Sequence, residues 1–186
     1  MIFFGHLGLS LWGADRWQRG LDLRQLAAVA FCTLLPDLVD KPLAMLSLTP
    51  VPVGRLWAHT LVFSLLWCLV CWRWWRAMWP WALATPIHLL MDYMWVFPVT
   101  LWWPWLGLYF DPPLIYYGSY LELWAWNWRH EPLQFLLFTA LPELAGLVLA
   151  WLVSSRVART VPALTVGRLP GSLALSEPRQ KPDQPR

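Results

Sequence analysis

The stretch Leu34-Leu35-Pro36-Asp37-Leu38-Val39-Asp40-Lys41-Pro42 sets two carboxylates and a lysine at the end of an apolar segment. A carboxylate is costly to take out of water unless it is paired, hydrogen-bonded or bound to a metal. Its partners must come from elsewhere in the chain. His6, His59, His88 and Asp92 each lie in or beside an apolar segment of their own. Acids and imidazoles gathered from several helices point to a metal site, and to a fold that brings those segments together.

Composition names the solvent of that fold. Of the 186 residues, 58% are hydrophobic, 13% are charged and 17 are tryptophan, where a soluble domain carries about 25% charged residues. Indole rings suit the headgroup layer of a bilayer. The expectation is an all-α polytopic membrane bundle of about four to five membrane segments. The net charge of +3 resides in the tail: from Ser154 onward six basic residues face two acids, leaving the remainder at about −1. A chain without a basic face on its folded part does not bind nucleic acid. Cys32, Cys68 and Cys71 all sit in apolar runs and read as small buried hydrophobes. The N-terminus lacks a basic leader and His6 interrupts its apolar start, so no cleavable signal peptide is expected.

In chain order, Met1–Trp12 is short for a full span, which needs about 20 residues, and either enters part of the membrane or packs against the bundle. Asp15–Arg24 reads as a polar connection, and Leu26–Leu35 as a helix halted by Pro36-Asp37. The prolines between Lys41 and Gly54 predict a loop or re-entrant piece. Leu56–Trp72, Trp79–Val96 (kinked at Pro86) and Pro132–Val153 read as spans, and Phe97–Trp128 as an interfacial stretch broken by Asp111, Pro112, Pro113 and Glu122. Residues 1–153 form the membrane domain in this reading. Residues 154–186 form a basic, disordered cytoplasmic tail, with disorder fullest over Glu177–Arg186. Basic residues are retained in the cytoplasm. Arg16, Arg19 and Arg24, then Arg73 and Arg76, then Arg156 and Arg159 therefore mark the inside and turn the acid–imidazole set toward the extracytoplasmic side of the inner membrane.

His88 and Asp92 are four apart, so a helix stacks them on one face, where they either ligate one metal or pair within a helix interface. Asp37 and Asp40 are three apart, and either share a cation or form a solvated helix end with Lys41 pairing locally. Arg55 precedes His59 by four residues; its alternative is an interfacial anchor. His130 reads as an interfacial anchor. Glu143, after Pro142, either satisfies a kinked backbone or joins the polar cluster.

Gly5-His6-Leu7-Gly8, Leu34-Leu35-Pro36-Asp37 with its second acid, Arg55 through His59-Thr60, His88-Leu89-Leu90-Met91-Asp92 and Trp102-Trp103-Pro104 together resemble the YdjM-type family of membrane-bound metal-dependent hydrolases. The likeness spans about residues 5–107 and departs in two places. The acids are three apart with Lys41 following, and Gly54 and Ala58 stand where the family often has His before Arg and Thr before His. This resembles a variant subgroup. The family is also distantly similar to zinc-dependent phospholipase C. The resemblance implies a metal set of His6, Asp37, Asp40, His59, His88 and Asp92 holding zinc or manganese, ligands that suit both metals. It further implies hydrolysis of a lipid-borne phosphoester, with Asp37 or Asp40 as general base and Arg55 holding the anionic group. Membrane lipids are the expected partners. The rival is a transporter or assembly factor that strings the same ionisable residues into an ion or proton path.

Overall fold

The computed structural model describes residues 3–45, 54–110 and 120–166, and every regular element among them is helical. In order these are α1 (Phe4–Gln18), α2 (Leu23–Met45), a 3-10 turn (Trp57–His59), α3 (Leu61–Trp74), α4 (Trp79–Ala82) and α5 (Ala84–Met91). A second 3-10 turn (Met94–Val96), α6 (Pro98–Leu101), α7 (Tyr120–His130), α8 (Pro132–Phe135), a π segment (Leu136–Ala140) and α9 (Leu141–Val166) complete the series. The breakers Pro50, Pro52 and Asp111–Pro113, and the tail from residue 167 that includes Glu177–Arg186, lie outside the described residues.

Prolines that the sequence suggested would end helices lie inside them. α2 runs through Pro36 and Pro42, so neither the halt at Pro36-Asp37 nor a loop from Lys41 is found. A proline at position 36 deprives the Cys32 carbonyl of its helical donor. The Thr85 hydroxyl supplies it instead, 2.9 Å from Cys32 O. Pro86 deprives the Ala82 carbonyl in the same way, and Cys68 Sγ approaches that oxygen at 3.5 Å. Neighbouring helices thus repair both breaks, as a buried carbonyl without its helical donor requires. Trp79–Val96 is accordingly not one kinked helix. It divides into α4, α5 and the turn at Met94, with Tyr93 in the left-handed region at φ 56° closing α5 just beyond Asp92.

The longest apolar helix is the continuous run Pro132–Arg159, 28 residues with a mean hydropathy of 2.0. Among the described residues it is the one helix long and apolar enough to cross a membrane; α3 is apolar but has 14 residues. α9 does not stop at Ser154 but continues to Val166. Val153 and Val157 are buried in a core with Leu11, Val29, Trp81 and Ala150, so packing against α1 carries the helix past the predicted boundary.

α1 lies along α9 with the backbones in contact. A methyl group on Gly8 would collide with the Gly146 carbonyl, and one on Gly146 with the Phe4 carbonyl. Small residues at such a seam allow the approach that dispersion needs between membrane helices. Both ends of the seam are pinned. The Glu143 carboxylate accepts from the backbone N–H of Phe3, Phe4 and Gly5, at 2.8 Å from Phe4 N, which satisfies donors that α1 cannot satisfy itself. At the other end Arg156 Nη1 donates to Asp15 Oδ2 at 2.6 Å. Asp15 is 3% exposed, so the expected polar connection from Asp15 is instead the last turn of α1. Large apolar side chains face outward on α3 and α9, among them Leu65, Leu69, Leu144 and Trp151. His6, Asp40, His59 and His88 are fully buried. This apolar outside and ionisable inside is the arrangement that hydrocarbon solvent selects.

Candidate metal centre

Five backbone segments deliver the polar residues. His6 is one turn into α1, whose start is fixed by Glu143. Asp37 and Asp40 belong to the proline-bearing half of α2. His59 ends the 3-10 turn, and Thr60 then caps α3 by accepting from Phe63 N at 3.1 Å. Gly54, at φ 61°, provides the left-handed step that leads into Arg55. His88 sits on α5 and Asp92 on the residue that caps it.

Asp37 and Asp40 have different partners. Asp40 Oδ2 accepts from Leu56 N at 2.7 Å and His59 N at 3.1 Å, and Oδ1 accepts from Ala58 N at 3.1 Å. Asp40 Oδ2 also lies 2.8 Å from His59 Nδ1. A carboxylate that already accepts backbone donors makes Nδ1 the protonated nitrogen of His59, which leaves Nε2 with a lone pair. Asp40 therefore stands behind His59 as its support and is not among the converging ligand atoms. Asp37 Oδ2 is held by Lys41 Nζ at 2.7 Å, the local pairing that the sequence allowed. Its Oδ1 turns inward, 3.6 Å from His59 Nε2 and 4.0 Å from His88 Nε2.

Asp92 repeats this pattern on the other side. Arg55 Nε reaches Asp92 Oδ2 at 3.3 Å while the Arg55 guanidinium lies over the Phe97 ring. Asp92 Oδ1 is 3.0 Å from His6 Nε2. The His59 and His88 Nε2 atoms face each other at 3.4 Å, and the His6 and His88 rings stack with centroids 4.2 Å apart.

Two overlapping sets result, His6–His88–Asp92 and Asp37–His59–His88, in each of which the ligand atoms lie within 4.8 Å of one another. Both nitrogens of His6 and Nδ1 of His88 are buried and make no hydrogen bond among the described residues. His6 Nε2 lies 3.0 Å from Asp92 Oδ1, in ion-pair range. Buried imidazole nitrogens are nearly always hydrogen-bonded or metal-bound. Imidazole and carboxylate donors aimed at a common point are a donor set that zinc and manganese accept. The residues therefore fit a divalent cation.

Arg55, 30% exposed, and Lys41, 26% exposed, stand at the rim as the cations of the site. His130 is elsewhere, stacked on Trp126 with Nδ1 2.9 Å from the Trp126 carbonyl. Glu143 takes neither role that the sequence offered it. It caps α1 and so positions His6; an acid isolated in an apolar run was the available signal, but its partner is some 140 residues away in sequence. Cys32, Cys68 and Cys71 are free and buried.

No curated protein and no solved structure is significantly similar to this chain. The family comparison is decisive: residues 1–166 match the model of the YdjM inner membrane protein family, and the chain belongs to that family.

Proposed function

We propose that the protein is a membrane-bound metal-dependent hydrolase that cleaves a phosphoester of a lipid or lipid-linked substrate. One observation carries this reading: a buried set of imidazoles and carboxylates converges on a common point with its His6 nitrogens unsatisfied. His6, His88 and Asp92 would hold the cation, with Asp37 and His59 facing it across His88. Zinc, or manganese in its place, would supply Lewis-acid activation of a water and of the phosphoryl group.

The chain's own groups have distinct tasks. Asp40 fixes the tautomer and orientation of His59. Asp37 is the better proton acceptor of the two acids, because Asp40 has both oxygens committed to backbone donors. Lys41 holds one Asp37 oxygen and leaves the other turned inward. Arg55 orients Asp92 and offers its exposed edge to an anionic phosphate.

The membrane domain would comprise about four to five segments, some of them short and proline-broken, ahead of a basic cytoplasmic tail. The site would face the extracytoplasmic side. Clustering of the ionisable residues, rather than their spread through the full depth, supports hydrolysis over an ion path. Metal analysis of purified protein tests the proposal. Wild type should retain about one equivalent or more of a transition metal, and His88→Ala and Asp92→Ala should each lose most of it together with phosphodiesterase activity. Equal metal content in all three proteins would remove the metal from the mechanism.

A further inference from the structure

A groove of about 440 Å³ runs between α1, α2 and the α4–α5 pair. Leu9, Gly13 and Trp17 form one wall; Met91, Ile87 and Trp81 face them from the other. The two walls run in opposite chain directions, so both lead away from the metal ligands. Leu9 lies one helical turn beyond His6, Ile87 adjoins His88, and Met91 adjoins Asp92. The far end is closed by Trp17 and Trp81, whose rings meet edge to face at 6.1 Å. Val29 of α2 forms the back, and Ser10 brings the one hydroxyl among the lining residues.

Three features identify the occupant. The lining is apolar along its length, so water gains little there. The open side is flanked by Leu9, Ile87 and Trp17, which are 37%, 47% and 63% exposed, and in a membrane protein that side meets lipid chains. From Leu9 to Trp17 the helix rises about 12 Å, close to the roughly 15 Å depth of one leaflet's hydrocarbon. Beyond the Leu9–Met91 end, on the side of His6 and Asp92, stand Lys41 and Arg55, paired with Asp37 and Asp92. We propose that this groove binds one hydrocarbon chain of the lipid phosphoester whose headgroup lies at the metal centre, and that Gly13 sets the room available to that chain. The assignment of the headgroup rests on the hydrolase reading; binding of the chain does not.

Gly13 makes the test clean. A methyl group added there meets no atom within 4 Å, and leucine is a better helix former than glycine. Gly13→Leu should therefore fold as well as wild type while its side chain fills the groove; Gly13→Ala fills it in part. The probe is a phosphatidic acid with a mid-chain diazirine, photolysed with the full-length protein in nanodiscs and mapped by mass spectrometry. Label should concentrate on residues 9–17 and 83–91. It should fall by about tenfold or more in Gly13→Leu, since each displaced methylene in an apolar pocket weighs about that much, with Gly13→Ala intermediate.

Competition by unlabelled dioleoyl phosphatidic acid and by a polyprenyl phosphate should show which kind of chain is preferred, the stronger competitor matching the natural chain. In parallel, the rate on an acylated phosphoester relative to the rate on bis(p-nitrophenyl) phosphate, which has no chain, should fall in Gly13→Leu. If no phosphoester is cleaved by any of the proteins, the hydrolase reading fails and the crosslinking still decides the groove. Label spread evenly over the outward faces of α3 and α9 and indifferent to Gly13→Leu would overturn the proposal. So would a dimer that dissociates in Gly13→Leu, which would give the groove to a second copy of the chain.

Discussion

Two parts of this molecule draw ionisable groups in among its helices, and they treat them in opposite ways. Along the α1–α9 seam the Glu143 carboxylate takes the backbone donors of Phe3, Phe4 and Gly5, and nothing about it awaits a further partner. At the α1–α2–α5 junction His6 is fully buried, where Glu143 is only half-buried, yet among the described residues neither of its nitrogens makes a hydrogen bond, with Nε2 3.0 Å from the Asp92 carboxylate. Burial alone therefore does not mark a site. A buried ionisable group that is satisfied by the chain holds the fold, whereas a set left incomplete by the chain is arranged for something else.

Asp37 and Asp40 bring this contrast within three residues. Asp40 has four donors around its carboxylate and belongs with Glu143, although it lies beside the metal ligands. Asp37 gives one oxygen to Lys41 and turns the other toward two imidazoles.

The sharpest way to break the comparison is to remove each acid in turn. Asp40→Ala leaves three backbone N–H groups and the His59 ring without an acceptor, and should lower stability by about 3–5 kcal/mol, as loss of one partner from a buried ionic network does. Asp37→Asn keeps the shape and should change stability by less than about 1 kcal/mol while releasing bound metal. Denaturant titration in detergent micelles measures both, and equal losses from the two variants would erase the distinction.

Metal itself should act on the other member of the pair. Adding zinc at a hundred times its dissociation constant should stabilise wild type by about 2.7 kcal/mol. It should do nothing for His88→Ala, and chelator should reverse the gain. A zinc-induced shift of the melting temperature that survives in His88→Ala would place the ion elsewhere.

A smaller effect is expected at the seam. Gly146→Ala pushes a methyl into the Phe4 backbone, which has no side chain to swing aside, and should cost about 1–3 kcal/mol. Glu143→Ala, which strips a cap from α1, should cost about 1–2 kcal/mol. If the seam positions His6, both variants should also weaken metal retention, although neither residue can touch the ion. Retention at wild-type levels would confine the seam to folding.

Arg156→Lys, which keeps a cation beside the buried Asp15 carboxylate, should have the smallest effect, about 1 kcal/mol or less, because the Arg156 side chain is 57% exposed. Thermal unfolding of that variant beside Glu143→Ala ranks the two ends of α1.

Much of the membrane character was legible in the chain because it is a property of composition. An excess of apolar residues with few charges commits the polypeptide to helices in a hydrocarbon solvent, where every backbone group must be satisfied within the segment or by a neighbour. Each of the residues that converge was also visible one by one, since an imidazole or carboxylate in an apolar run needs a reason to be there. Helix boundaries were less legible. The prolines at 36 and 86 read as breaks because a sequence shows the donor they remove but not Thr85 and Cys68, which meet the freed carbonyls from other helices. The end of α9 was hidden likewise, since Val153 and Val157 look like any apolar pair until Leu11 and the rest of the core pack around them.

By itself, then, the sequence determined the solvent, the helical class, the family and the set of candidate ligands, because each depends on which residues are present and at what local spacing. Only the tertiary structure decided which of two acids three residues apart supports a histidine and which turns toward two imidazoles, that Glu143 caps α1, and that a groove runs from Leu9 to Trp17. Those outcomes depend on directions. A helix fixes the direction of a side chain relative to its own axis, but what that side chain meets is fixed by the packing of the other helices around it.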